Sequence, residues 1–317
     1  MYNSIVLLGP TATGKTSVGV ALARALGGEI LSADSRQVYR GLDIGSGKDL
    51  QEYGMVPHHL IDIADLSQEF TLFAWQQAFY TAFAGIAARG ALPLLVGGTG
   101  MYIDSVVRGY DLMPVPPDEA LRARLDAMPL ADLVAMLRQL RPNHHNTSDF
   151  TDKARTIKAI MIARFMQSPQ CAELKRALAP RPDFRPLVLG MTLPRARLRE
   201  SIRLRLRERL DAGMIDEVRA LHQNGASWER LERLGLEYRF VAQFLQGKIG
   251  GSEELFVRLS TAIGQFAKRQ ETWFRGMERK GVRIHWLPQA ASKEERVAAA
   301  LGLWSKSAQT LPNSVFP

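Results

Sequence analysis

The sequence predicts an α/β fold in which a parallel sheet carries an inserted helical subdomain and a helical C-terminal part. Three observations predict it. An apolar run, a glycine-rich turn and a helical segment follow one another at the start of the chain. Apolar strands then alternate with helices up to residue 112, the pattern of a parallel sheet with helices on its faces. Prolines enclose a wholly helical stretch, after which an apolar run returns to the sheet.

The individual elements follow from the spacing of apolar residues. We expect strands at 4–8, 29–33, 59–63, 92–96 and 187–191, with a last strand at 282–287. We expect helices at 15–26, 71–89 and 100–107, throughout 118–178, and again at 195–211 and 253–279. The prolines set the domain boundaries: a core of 1–112 and 187–317, which includes the C-terminal helices, and a helical insertion of 113–186.

The glycine-rich turn has the residues of a phosphate-binding loop. Two glycines stand five residues apart, and the run reads Gly9, Pro10, Thr11, Ala12, Thr13, Gly14, Lys15 and Thr16. The backbone N–H groups of such a turn bind phosphate together with the positive end of the helix behind it. Lys15 would reach the terminal phosphates, and the Thr16 hydroxyl would ligate Mg²⁺. An ordinary strand–turn–helix does not need this Lys and Thr, so we expect a P-loop, kinase-like core that binds a nucleotide or another diphosphate.

Composition narrows the class of protein. The 317 residues carry a formal net charge of +9, and 195–283 alone hold 19 Lys and Arg against 12 Asp and Glu. Nucleic acid is the first partner that fits this excess, although a solvated basic surface would fit it equally well. No apolar stretch reaches membrane-spanning length, and we expect no signal peptide. The single Cys171 excludes a disulfide framework, so we expect a cytoplasmic protein without a membrane partner.

Polar residues follow two of the expected strands. Asp34 comes directly after the second strand, at the sheet edge where parallel α/β proteins bind ligands. Its carboxylate could take a proton from a nucleophile or help to hold Mg²⁺ through water, or it could simply cap a following helix. The strand at 92–96 runs into Gly97-Gly98-Thr99-Gly100, without the acid that ligates magnesium in ATP-hydrolysing P-loop proteins. Thr99 could bond to a phosphate oxygen, and Asp62 could supply the acid.

A basic and aromatic segment lies on the helix expected at 253–279. Lys268, Thr272 and Arg275 share one face, and Arg269 lies one turn from Trp273. Cations beside aromatic planes suit an RNA backbone with unstacked bases. The alternative is a Trp and a Phe in the core with solvated basic neighbours, and this stretch alone does not separate the two.

Taken together, these motifs resemble the tRNA dimethylallyltransferase (tRNA isopentenyltransferase) family. The matching stretches, in the family's order, are GPTATGKT at 9–16, SADSRQVYRGLDIG at 32–45, PHHLID at 57–62, LPLLVGGTGMYI at 92–103 and AKRQETWFR at 267–275. The resemblance implies a P-loop kinase-like core with a helical insertion. It also implies transfer of the dimethylallyl group of dimethylallyl diphosphate to the N6 amine of an adenosine. That adenosine lies on the 3′ side of the anticodon in tRNAs that read codons beginning with U.

The resemblance also implies roles for single residues. Asp34 would accept the N6 proton while Lys15, with Mg²⁺ at Thr16, stabilises the departing diphosphate. Thr99 would touch the diphosphate or the reacting centre, and Arg239 would contact the diphosphate or the tRNA. The target base would have to leave the anticodon-loop stack. The implied contacts to the tRNA anticodon stem-loop are Asp34, Ser35, Arg36, Gln37, Arg122, Arg155, Lys158, Lys268, Arg269, Thr272, Trp273 and Arg275.

Three segments depart from the family's usual pattern. Lys158 stands where a second arginine is usual, and Gly235-Leu236-Glu237-Tyr238-Arg239 stands where Gly-Tyr-Arg is usual. Gly45-Ser46-Gly47-Lys48 stands where Gly-Thr-Ala-Lys-Pro is usual. These changes indicate a divergent branch in which contacts to tRNA differ more than donor binding.

Other functions compete with this interpretation. A P-loop small-molecule kinase would pair the loop with a carboxylate after the second strand, but it leaves the basic C-terminal half unexplained. An isopentenyltransferase acting on free AMP or ATP would share the core and have less need for the arginine-rich helix. A non-catalytic RNA-binding protein would not need an intact Lys15, Thr16 and Asp34. Within the preferred interpretation, the expected partners are tRNA and dimethylallyl diphosphate, and the expected form is a monomer.

Overall fold

A computed structural model describes residues 1–142, 147–178 and 181–309 of the chain. It consists of two compact units. The first comprises Met1–Tyr110 together with the chain from Pro182 onward, and the second comprises Asp111–Arg181. Residues 143–146, within the stretch that the sequence predicts to be helical, lie outside the described residues.

The first unit is built on a parallel sheet, which confirms the predicted fold class. In the described part of the chain the sheet has six strands in the order β3-β2-β4-β1-β5-β6. The strands are β1 (Ser4–Leu8), β2 (Gly28–Ala33), β3 (His58–His59), β4 (Leu92–Gly97), β5 (Pro186–Gly190) and β6 (His285–Trp286). Ile5 and Leu7 of β1 face one apolar cluster while Val6 and Leu8 face another, so both faces of the sheet are covered.

Helices flank the sheet and form the rest of the first unit. They are α1 (Lys15–Leu26), α2 (Leu72–Ala88), α3 (Gly100–Val107), α8 (Arg195–Asp211), α9 (Met214–Gln223), α10 (Trp228–Arg233), α11 (Leu236–Leu245), α12 (Ser252–Arg279) and α13 (Lys293–Gln309). The loops after β1, β2 and β4 meet at the carboxyl edge of the sheet, because parallel strands all end on the same side. Among the described residues, none of the helices combines the length and apolar character needed to cross a bilayer.

The second unit is helical throughout its regular elements. It contains α4 (Glu119–Asp126), α5 (Leu130–Leu140), α6 (Lys153–Met166) and α7 (Pro169–Ala177). Leu133 and Leu137 of α5 are buried against Ile160 of α6, which gives this unit an apolar cluster of its own. The side chains of Asp118, Asp152 and Ser168 each accept a backbone N–H bond at a helix N-terminus.

Two predicted strands are wrong in their extent. The strand expected at 59–63 stops at His59, because Leu60 and Asp62 have left-handed backbones with φ of 66° and 56°. The next residues bond to the loop after β2: the N–H groups of Asp62 and Ile63 donate to Gln37 and Val38 carbonyls at 3.0 and 2.9 Å. The strand expected at 282–287 is reduced to His285–Trp286.

Candidate active site

The predicted phosphate-binding loop lies between β1 and α1. Gly14, directly before α1, has a left-handed φ of 78°, a conformation that glycine adopts at no steric cost. Two internal bonds fix the loop: Thr13 Oγ1 and Lys15 Nζ both donate to the Pro10 carbonyl, at 2.9 and 2.5 Å. From helix α8, the Ser201 Oγ donates to the Ala12 carbonyl at 2.7 Å. The loop is therefore held in shape from both sides.

The surroundings of Lys15 lower the pKa of its ammonium group. Burial, followed by the nearby Arg205 guanidinium, lowers the pKa of Lys15 to about 7. The Asp34 carboxylate acts in the opposite direction, so it lies within electrostatic reach of Lys15. An anion bound between Lys15 and Arg205 would offset the repulsion between the two cations. It would therefore raise the pKa of Lys15 and favour the charged ammonium.

Asp34 caps a turn instead of a helix. Its Oδ1 accepts the backbone N–H of Arg36 at 2.8 Å and that of Gln37 at 3.4 Å, and residues 35–38 form a turn. Both bonds use Oδ1, so they fix the carboxylate while Oδ2 takes no part in them. Of the roles considered from the sequence, helix capping does not describe this geometry, because the described chain has no helix directly after Asp34.

Thr99 joins the loops after β2 and β4. Its backbone N–H donates to the Ala33 carbonyl at 3.0 Å, and its Oγ1 accepts the Ser35 N–H at 3.1 Å. The two residues that flank Asp34 are thus both bonded to Thr99. Because the hydroxyl accepts in this bond, its proton is left to donate to a ligand oxygen.

Gln270 of α12 is a site residue that sequence reasoning missed. It is buried, its Oε1 accepts the Thr11 N–H at 2.9 Å, and its Nε2 donates to the Gly98 carbonyl at 2.9 Å. One amide therefore ties the phosphate loop to the loop after β4. The sequence pattern that could have indicated Gln270 is helical spacing, because Ala267, Gln270 and Phe274 all fall on the buried face of α12.

The exposed face of α12 carries the predicted basic and aromatic residues. Lys268, Arg269, Thr272 and Arg275 are exposed, and Trp273 keeps 38% of its surface accessible. Of the two alternatives left open, the core interpretation holds for Phe274, which is fully buried, but not for Trp273. A Cβ added to Gly100 would stand 2.4 Å from Trp273 Cδ1, so this indole lies directly against the start of α3, beside Thr99. Phe266, also partly exposed, packs under Arg269 with its ring centroid 5.9 Å from the guanidinium carbon.

A cavity of about 1100 Å³ opens beside the phosphate loop. Besides loop residues 12–17, its lining includes cations that the sequence interpretation did not assign to the donor site: Lys48, Arg197, Arg205, Arg209 and Arg296. It also includes five acids: Asp43, Asp49, Glu52, Glu200 and Glu208. Arg205 donates to Asp49 at 2.7 Å. Spacing in the sequence could have indicated the α8 residues. A polar side chain recurs every four residues along one helix face, at Arg197, Ser201, Arg205 and Arg209.

Three other candidates have internal partners. The Gln37 amide is buried, with Oε1 accepting from Ser32 Oγ at 2.8 Å and Nε2 donating to the Gly47 carbonyl at 3.0 Å. Arg239 is exposed, donates from Nε to the Glu232 carbonyl at 2.9 Å and does not line the cavity. Asp62 forms an ion pair with the buried Lys48, which also donates to the Tyr39 carbonyl at 2.9 Å.

In the second unit, the three predicted contact residues are all exposed. Arg155 Nε donates to Asp149 at 3.2 Å, and Arg122 Nε lies 3.8 Å from the Asp126 carboxylate. Lys158 lies one turn after Arg155 on α6.

The residues present fit a magnesium ion that arrives with its phosphate ligand. The described residues hold no cluster of three or more His, Cys, Asp or Glu side chains that could form a protein cage. Mg²⁺ commonly takes only one or two protein oxygens, with substrate phosphates and water filling its other positions. The Thr16 hydroxyl at the cavity wall is a donor of this kind.

The comparisons with known proteins agree on one family. The IPP transferase family model matches residues 37–277, and an isopentenyl transferase model matches residues 3–54. The chain is 55% identical over 287 residues to tRNA dimethylallyltransferase 2 of Treponema denticola, covering 90% of this chain and 96% of that protein. It is 54% identical over 288 residues to tRNA dimethylallyltransferase 2 of Syntrophotalea carbinolica, covering 91% and 95%.

Solved structures give the same result. The tRNA isopentenylpyrophosphate transferase of Bacillus halodurans is 29% identical, with a TM-score of 0.69 and coverage of 96% of both chains. A eukaryotic dimethylallyltransferase acting on tRNA, 22% identical, shares the fold with a TM-score of 0.79 over 100% of this chain and 82% of that one. These comparisons confirm the family predicted from the motifs. The chain belongs to the IPP transferase family, which includes the tRNA dimethylallyltransferases.

Proposed function

We propose that this protein transfers the dimethylallyl group of dimethylallyl diphosphate to the N6 amine of adenosine in tRNA and releases diphosphate. The target is the adenosine on the 3′ side of the anticodon in tRNAs that read codons beginning with U. The observation that carries the proposal is the arrangement at the sheet edge. An acid, Asp34, lies within electrostatic reach of Lys15 in the phosphate loop, and both neighbours of Asp34 are bonded to Thr99.

The phosphate loop and its cations hold the leaving group. The backbone N–H groups of residues 12–16, Lys15 and Arg205 surround the diphosphate at the wall of the cavity. Charge develops on the bridging oxygen as the allylic C1–O bond breaks, and fixed cations at that oxygen stabilise it. Mg²⁺, when bound through Thr16 and the phosphate oxygens, supplies further positive charge there.

Asp34 acts on the acceptor. The N6 amine of adenine is a weak nucleophile, because its lone pair is delocalised into the ring. As N6 forms its bond to C1 of the donor, the Asp34 carboxylate takes the N6 proton and the diphosphate leaves with the electron pair of the C1–O bond. The bonds to Arg36 and Gln37 hold Asp34 in place, and the Thr99 hydroxyl orients a phosphate oxygen or the reacting base.

The basic surfaces bind the tRNA. The exposed cations of α12 contact the RNA backbone beside Trp273, whose indole lies next to Thr99, and the target base leaves the anticodon-loop stack to reach Asp34. Arg36, Arg122, Arg155 and Lys158 add contacts to the anticodon stem-loop. We expect the protein to act as a monomer.

A substrate comparison tests this proposal. The purified protein is incubated with dimethylallyl diphosphate, Mg²⁺ and, in parallel, unmodified tRNA, AMP or ATP, and nucleoside digests are analysed by mass spectrometry. Prenylated adenosine should form in the tRNA reaction alone. Equal product on AMP or ATP would favour the nucleotide isopentenyltransferase, and ATP consumption with a small acceptor would favour the kinase.

A further inference from the structure

Residues from two distant segments of the chain meet at one side chain, Arg209 of α8. Gly47, in the loop after β2, has a left-handed φ of 62° and passes under the Arg209 guanidinium. A Cβ on Gly47 would stand only 1.6 Å from Arg209 Nη2. Glu237 of α11 places its Oε1 3.7 Å from Arg209 Nη1. The same Nη1 donates to the Gly45 carbonyl at 3.3 Å.

The loop that carries Gly47 cannot easily move away. The Glu217 carboxylate accepts backbone N–H bonds from Asp43, Ile44 and Gly45, at 2.6 to 3.1 Å. Gly47 itself donates to the Ile44 carbonyl at 3.1 Å. The loop backbone beneath Arg209 is therefore held in place.

A second guanidinium converges on the same point. The Cβ position of Gly47 lies 2.7 Å from Arg205 Nη2, so Arg205 and Arg209 stand side by side over this glycine. Burial and the neighbouring Arg205 lower the pKa of Arg209, and burial raises the pKa of its partner Glu237. Asp49 and Glu237 each offset part of the charge of one guanidinium, and the N–H groups that these carboxylates leave unused can bind an anion.

The Arg209 side chain lines the cavity, and not all of its N–H groups have partners. Its side chain is 13% exposed, and within the described structure its buried Nε has no hydrogen-bond partner. Arg209 and Arg205 line the same cavity as Lys15 and Thr16. A guanidinium pair of this kind can bind a phosphate group through several N–H donors at once.

We propose that Arg209 is a second diphosphate-binding arginine, which acts beside Arg205 on the terminal phosphate of the donor. Glu237 holds its guanidinium in position, and Gly47 provides the space that the guanidinium occupies. This inference rests on the proposed function for the identity of the donor. Its alternative is a purely structural ion pair that closes the loop after β2 onto α8.

Inorganic pyrophosphate is the probe, and its binding is measured by isothermal titration calorimetry. Arg209→Leu alone would leave Glu237 without its partner, so the main variant is Arg209→Leu with Glu237→Leu, which removes both charges. We expect it to weaken pyrophosphate binding by about tenfold or more, the worth of one charge-assisted contact. The matched control, Arg233→Leu with Glu229→Leu, removes an exposed ion pair of α10 that does not line the cavity and should change pyrophosphate binding by less than about twofold. Thermal melts of both variants check that each of them folds.

Each result decides one question. Wild-type pyrophosphate affinity in the double variant would make the pair structural and overturn the inference. An equal loss in the control variant would trace the effect to the removal of any ion pair and overturn the inference too. If the double variant alone loses pyrophosphate binding but the wild-type protein prenylates no tRNA, Arg209 stays a diphosphate-binding residue and the proposed function fails instead.

Discussion

Pyrophosphate binding should weaken with rising pH because of Lys15. Burial and Arg205 lower the pKa of this ammonium from 10.5 to about 7, so in the free protein it is mostly neutral at pH 8 and above. An anion binds the charged form, so binding takes up about half a proton per ligand at pH 7 and close to one at pH 9. If the bound state keeps Lys15 charged throughout, the apparent Kd rises on the order of 50-fold between pH 7 and pH 9.

The comparison variant is Lys15→Arg, whose guanidinium stays protonated over the whole range. Calorimetric titrations with pyrophosphate are run at pH 7, 8 and 9 without divalent cations. The ligand's own ionisation affects both proteins equally, so the ratio of their affinities isolates Lys15. Titrations in two buffers of different ionisation enthalpy should also show proton uptake approaching one per ligand at pH 9 in the wild-type protein. Parallel pH profiles for the two proteins, with no proton uptake, would refute the reasoning.

Three further predictions concern α12. Gln270→Ala leaves the Thr11 N–H and the Gly98 carbonyl without their partner. Chemical denaturation should therefore show that the free energy of unfolding falls by about 2 to 4 kcal/mol, and steady-state kinetics should show a higher KM for the donor. An unchanged KM would contradict the bridging role. Gly100→Ala pushes a Cβ to 2.4 Å from Trp273 and should lower the rate of tRNA prenylation, whereas the matched Gly302→Ala, which meets no atom within 4 Å, should leave that rate unchanged. Equal rates for the two variants would count against the placement of the indole. Replacing both Lys268 and Arg269 by Ala should reduce the slope of log Kd for tRNA against log salt concentration by about 1 to 2, and an unaltered slope would remove these cations from the RNA contact.

The parts of the site that the sequence predicted are local in the chain. The phosphate loop follows from eight consecutive residues, and Asp34 and Thr99 each follow a strand directly, so their positions at the sheet edge depend only on the parallel arrangement. Gln270 depends on a contact across 259 residues to Thr11, which no local pattern specifies. Local sequence patterns also do not specify the surroundings of Arg209, because Gly47 and Glu237 come from two other segments of the chain.

The errors have a physical cause as well. The stretch 59–63 has the apolar residues of a strand, but Leu60 and Asp62 take left-handed backbones while their neighbours bond to the loop after β2. Tertiary hydrogen bonds there outweigh strand propensity. The contact of Arg239 with the diphosphate or the tRNA stays a prediction. The sequence interpretation did not name the arginines of α8 that line the cavity. Helical spacing could have indicated them, because they share one face with Ser201.

Single-turnover transfer from dimethylallyl diphosphate to tRNA by the Asp34→Ala variant tests the central claim most directly, with tRNA affinity measured in parallel. Loss of the carboxylate that takes the N6 proton should slow transfer by about 10²-fold or more, while tRNA binds nearly as in the wild-type protein. Transfer at the wild-type rate by Asp34→Ala would contradict the account.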